Sequence, residues 1–295
     1  MRHIPIWLSA LGCALCLFAE DSVEYRYLGG LADPKRWAPE ECETSVAPHT
    51  VWQQPALRLR IPVDFSAGEK QYPIGWPRMY LNLKADEQDW KGYDRLEFQL
   101  FTETARTSLP KRPLNFHLYD DQGQRRMITL DLAAIGAWKT FSLNLSDLGL
   151  PGRVTRLGFN INESDYNDKD VVDFHLGGFR LARATAAQVT ALTAVTPALF
   201  CHDRVLAVEV VTEGPPEKLA DGLPVQLRSG NRVALACRVP VTRGRQTLFI
   251  PLNAAKLEPG PHALVVNPDD PALRKEAHVT VFSSPYRSAE LTVRK

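Results

Sequence analysis

The sequence is short of most features that mark a conventional active site, and each shortage excludes something. Cysteine is scarce, five in 295 residues, and Cys13 and Cys16 fall inside an apolar leader. The remaining Cys42, Cys201 and Cys237 are odd in number, so they cannot all pair. Cys201 and Cys237 could bridge in an oxidising compartment or stand as two buried apolar thiols; both readings stay open. After the leader there is no C-x-x-C spacing for a metal, and the seven histidines form no metal-like cluster along the chain. An excess of one charge is missing too. Lys and Arg number 35 against 34 Asp and Glu, a net charge of +1, which leaves no electrostatic footprint for nucleic acid or an anionic membrane. No apolar run after the leader is long enough to span a bilayer. Neither a phosphate loop nor a G-x-S-x-G nucleophile is present.

What is present begins with that leader. "MRHIPIWLSALGCALCLFA" has a basic start, an apolar run and a small residue at Ala19 before "EDS". Residues 1–19 therefore read as a signal peptide cleaved after Ala19, which points to a secreted, periplasmic or cell-surface protein. A lipidated cysteine is the rival reading, but neither "ALGC" nor "CALC" has leucine followed by small residues before the cysteine. The 22 prolines and 18 glycines, spread along the chain, favour many short strands over long helices.

From residue 22 to 183 the pattern predicts eight strands, nearly all with one apolar stripe: Leu96, Phe98 and Leu100; Leu114, Phe116 and Leu118; Leu157, Phe159 and Ile161. Turn formers such as "DDQG" separate them. After an Ala/Thr-rich linker at 184–190, short alternating strands restart and fill residues 191–295. The expectation is an all-β chain: a two-sheet jelly-roll sandwich followed by a smaller sandwich of immunoglobulin-like class, without the Cys…Trp…Cys signature of a true immunoglobulin domain.

The phrases "DWKGYDRLEFQLF", "WKTFSLNLSDL", "VTRLGFNI" and "VVDFHLGGFRL" resemble the galactose-binding-like jelly rolls found among carbohydrate-binding modules, over roughly residues 50–183. The resemblance implies a strand order in which the second, seventh, fourth and fifth strands share one sheet. Their polar faces would then converge: Arg78, Tyr80 and Asn82; Arg156, Asn160 and Asn162; Asn115, His117 and Tyr119; Arg125, Met127 and Thr129. Amides and guanidinium groups suit sugar hydroxyls, and aromatic faces suit the C–H side of a pyranose. Trp76, at the entry to the second strand, and Tyr166, in the turn after the seventh, are candidate stacking residues at the rim. Trp90 and Trp138 read as core.

The same resemblance implies a structural calcium between the N-terminal segment and the last strand, which would use Glu24 and Asp173; the turn at 162–170 lacks the glycine and spacing of an EF-hand. No cofactor is otherwise expected. A catalytic reading has little support, because the polar face carries no pair of opposed carboxylates. The expected function is glycan binding without catalysis. Its rivals are a structural or protein–protein interaction protein, and an accessory component of a glycoside hydrolase system, since similar domains accompany secreted hydrolases.

Overall fold

A computed structural model describes residues 23–66, 75–149, 152–253, 255–271 and 273–283. The leader and residue 72 lie outside the described residues. The fold is all-β; the described residues hold a single helix of one turn at Pro216–Leu219 and four short 3-10 turns. No helix among the described residues is long and apolar enough to cross a membrane.

Alternating apolar residues build two facing sheets around one core. The first sheet runs in the order Glu43–Val51, Gln54–Pro62, Val171–Ala184, Arg95–Thr104, Lys139–Asn144, with Val23–Tyr27 also pairing with Val171–Ala184. The second runs Ala38–Glu40, Arg78–Asn82, Val154–Asn160, Asn115–Asp120, Arg125–Thr129. All pairings in both sheets are antiparallel. The four predicted strands expected to share one sheet, the second, seventh, fourth and fifth, all lie in the second sheet. Between the sheets, Leu57, Leu59, Ile61, Leu96, Phe98 and Phe174 from one face meet Met79, Leu81, Phe116, Leu157 and Phe159 from the other. Phe98 stacks on Phe141 and Phe179 and tilts against Phe116, so the aromatic centre of the core ties both sheets together. Trp90 is buried with its indole N–H on the Glu87 carbonyl, as read from the sequence; Trp138 is half-buried against Val51 and Ala56.

A second, separate core is drawn from residues 189–281. It lies within another sandwich, with a three-stranded sheet Gln188–Ala194, Val205–Glu213, Gly244–Pro251 and a five-stranded sheet Ala198–Phe200, Lys275–Phe282, Gly260–Val266, Leu223–Ser229, Arg232–Val239. Between the two cores, Ala184 ends one strand and Gln188 begins the next. Ala184 and Val189, on either side of that step, are buried. Cys42, Cys201 and Cys237 are free thiols.

Candidate functional site

The outer face of the second sheet takes its geometry from strand register. Arg78, Asn160, Asn115 and Thr129 form one rung across four strands; Tyr80, Gly158, His117 and Met127 form the next; Asn82, Arg156, Tyr119 and Arg125 form the third. Side chains alternate faces along a strand, so residues two apart on each strand share the outer surface. Eleven of the twelve residues expected on this face, all but Asn162, therefore lie side by side.

The face is layered. Asn115, His117 and Asn160 form a floor, only 2%, 1% and 3% exposed. Thr129 Oγ1 donates to Asn115 Oδ1 at 3.0 Å. Asn160 Nδ2 donates to the Ile161 carbonyl at 3.1 Å, which turns its Oδ1 toward His117 Nε2. His117 Nε2 is then the donor of that bond and Nδ1 the acceptor, and Nδ1 is buried with no partner. Burial pushes the His117 imidazole below its ordinary range, against the opposing pull of Asn160, so the ring is neutral at pH 7.

Above the floor lies a layer of rings and guanidinium groups. The Tyr80 ring lies directly on Gly158, where an added Cβ would come within 2.5 Å of its Cδ1. Arg156 stands over Tyr80 at 4.0 Å and reaches Tyr119 at 5.5 Å; the two tyrosine rings meet edge-on at 6.2 Å. Burial, and then a hydrogen bond with Tyr119, raise the Tyr80 phenol above its ordinary range. Arg156 Nε is buried without a partner. At the margin, Arg78 pairs with Glu40 and covers the Trp76 ring at 4.9 Å, while Trp76 stays 43% exposed. The Trp76 backbone N–H is held by Glu41 Oε2 at 2.5 Å.

Several expected residues are elsewhere. Tyr166 is no rim platform: it is buried in the core, with its hydroxyl donating to the Pro113 carbonyl at 2.5 Å. Asn162 lies past the end of the sheet strand, where its amide donates to Asp165 at 3.3 Å. The Glu24–Asp173 calcium pairing fails on distance. Glu24 sits opposite Arg183, and Asp173 lies ten residues earlier on that same strand, on the order of 30 Å away. Each carboxylate already has cations: Arg183 for Glu24, and Arg58 and Arg60 for Asp173. The residues that sequence reading undervalued are Gly158, whose missing side chain makes room for Tyr80, and Glu41, which anchors Trp76. A glycine at the centre of an otherwise apolar-and-polar alternation was the available signal for the first.

No protein-family model matches the chain, and no curated protein matches it. Among solved structures, a β-1,2-glucanase from Parabacteroides distasonis is similar over 88% of this chain at 14% identity and a TM-score of 0.37. The match takes in 37% of the glucanase chain, so this chain spans well under half of that protein. The CBM22-1 xylan-binding domain of Paenibacillus barcinonensis Xyn10C is similar over 50% of this chain and 85% of its own, at 14% identity and a TM-score of 0.30. The Caldicellulosiruptor saccharolyticus CBM27-1, in complex with mannohexaose, is similar over 54% of this chain and 97% of its own, at 15% identity and a TM-score of 0.31. The structural neighbours thus include carbohydrate-binding modules. Likeness at this level assigns neither ligand nor activity.

Proposed function

We propose that the protein is a secreted, non-catalytic carbohydrate-binding protein that holds a glycan against the outer face of the Arg78–Asn82 sheet. The observation that carries this reading is the three-rung register, which gathers two tyrosines, three arginines, three asparagines and a neutral histidine on one surface with an exposed tryptophan at its margin. Trp76, Tyr80 and Tyr119 offer ring faces and edges to sugar C–H groups, and Arg78, Arg156 and Asn82 offer donors to hydroxyls. His117, Asn115 and Asn160 hold that layer from below. The ligand would lie on a surface rather than in an enclosing pocket, so affinity is modest. The C-terminal sandwich, read as immunoglobulin-like, serves as spacer or docking module. A secreted glycoside hydrolase is the partner implied by the sequence resemblance.

The test is a screen of the full chain against soluble plant and microbial polysaccharides by affinity electrophoresis. Retardation by one polysaccharide class is expected, weakened at least tenfold in Trp76→Ala and Tyr80→Ala and unchanged in Tyr27→Ala, an exposed tyrosine on the other sheet. Retardation by none of them, together with specific capture of a protein through the same face, would replace glycan binding by the interaction reading.

A further inference from the structure

The opposite sheet carries a second constellation, one that the scattered histidines of the sequence conceal. His49 lies on Glu43–Val51, His175 on Val171–Ala184 and Glu103 on Arg95–Thr104. These strands are far apart in sequence, yet each side chain offers a ligand atom within 4.8 Å of the other two. Among the described residues this is the one group of three metal-ligating side chains within reach of a single ion.

The surroundings favour an ion over an ordinary surface pair. His175 points away from the inter-sheet core, since its neighbours Phe174 and Leu176 are the core residues. It is nevertheless only 1% exposed. Its Nε2 lies 2.9 Å from Glu103 Oε2, and its Nδ1 is buried with no partner. With Nε2 aimed at Glu103, the buried ring already presents a ligand nitrogen to a carboxylate on the neighbouring strand. The covering groups are aromatic: the His49 ring meets His175 edge-on at 5.0 Å, and Phe101 and Trp138 lie 5.6 and 5.8 Å from His49. That apolar rim lowers the local dielectric and strengthens any coordination bond. Arg58, opposite His175 on the adjoining strand, is engaged by Asp173 Oδ1 and Oδ2 at 2.9 and 3.0 Å, which offsets its charge.

We propose that His49, Glu103 and His175 bind one divalent transition-metal ion, with zinc the expected occupant. Two imidazoles and a carboxylate are borderline ligands of the kind zinc accepts, leaving a fourth position to water. A tetrahedral zinc with bonds of about 2.0–2.1 Å holds its ligand atoms roughly 3.4 Å apart. The 2.9 Å contact between His175 and Glu103 opens slightly, and the half-buried His49 swings inward, to reach that spacing. Both moves are side-chain rotations. An ion here would cross-link three strands, including the Glu43–Val51 edge, and so stabilise the native state by ligand linkage.

Isothermal titration of the full, chelator-treated chain with zinc chloride tests this directly. One saturable equivalent is expected, with affinity at least tenfold weaker in His49→Gln and in Glu103→Gln, both accessible positions that tolerate substitution, and unchanged in His202→Gln, an exposed histidine elsewhere. A second readout uses Trp138: one equivalent of copper(II) quenches tryptophan emission, and Trp138→Phe removes most of that quench. Absence of stoichiometric zinc binding overturns the proposal, as does binding that survives both His49→Gln and Glu103→Gln. Loss in His49→Gln alone also overturns it, because the carboxylate would then be no ligand.

Discussion

Gly158 shows how one absent side chain can organise a surface. It lies between Tyr80 and His117 in register, and its bare backbone is the floor on which the Tyr80 ring rests. A methyl group at that position overlaps the ring, which must rotate away and lose Arg156 at 4.0 Å. Gly158→Ala should therefore destabilise the protein by about 1–2 kcal/mol through overpacking. The same change in a Tyr80→Ala background should be close to neutral, because the obstructing ring is gone. Urea unfolding of the four proteins in that cycle gives the coupling, expected at about 1 kcal/mol or more; equal costs in both backgrounds would show that Tyr80 does not rest on Gly158. Of the single residues, Arg78, Tyr80 and Tyr119 were legible from alternation alone. Tyr166 was not. Its neighbours in "NESDYNDKD" are polar, and nothing local reveals that the chain returns at Pro113 to bury the ring and accept its hydroxyl.

At the scale of elements, the interior strands were readable because each is flanked on both sides and carries an uninterrupted apolar stripe, as in Arg95–Thr104 and Asn115–Asp120. The strands that escaped are edges or fragments. Val23–Tyr27 is largely exposed, Ala38–Glu40 is three residues, and Glu43–Val51 contains Pro48, which a sheet accepts only where no ladder bond is needed. That last omission hid the His49, Glu103 and His175 cluster, since His49 belongs to the strand that periodicity missed. Short 3-10 turns were equally invisible, yet one of them is anchored by a specific pair. Arg36, ending Pro34–Arg36, donates from Nη1 and Nη2 to both oxygens of Glu87 at 2.8 and 2.6 Å, and Glu87 belongs to Ala85–Glu87. The guanidinium holds the Glu87 carboxyl below its ordinary range. A carboxylate whose pKa is depressed on folding contributes stability that is complete above the unfolded value, about 4.3, and is lost as pH falls through the folded one. Thermal unfolding between pH 6 and pH 3 should show the melting temperature of Arg36→Gln converging on that of the parent at the acid end. A constant difference across that range would mean that the pair adds nothing through charge.

At the scale of the whole molecule, ion pairs join the two cores. Arg95, on the first sandwich, reaches Glu213 Oε2 of the second at 2.5 Å and Glu97 at 3.2 Å. Arg243 of the second returns to Asp94 Oδ1 at 2.6 Å. A cleft of about 280 Å³ between them is lined by Tyr93, Asp94, Glu213 and Arg243. None of this was legible in sequence, because ion pairs between residues more than a hundred positions apart leave no local pattern. Glu213 is 2% exposed, and burial raises its carboxyl above the ordinary range despite the nearby Arg95. Removing Arg95 strands that charge, and breaking such a pair on one side costs about 3–5 kcal/mol where burial is complete. Arg95→Met should accordingly lower stability at pH 7 by a few kcal/mol. A carboxyl whose folded pKa lies above its unfolded one favours the folded state only when protonated, so that deficit should shrink as pH falls from 7 toward 5. Adding Glu213→Leu to Arg95→Met removes the orphaned charge and should recover most of the loss at every pH. Calorimetry of the parent, the single and the double variant at pH 5 and pH 7 decides the matter. A deficit in Arg95→Met that is independent of pH and unrelieved by Glu213→Leu would assign the role of Arg95 to Glu97, within the first sandwich, and leave the junction to Asp94 and Arg243.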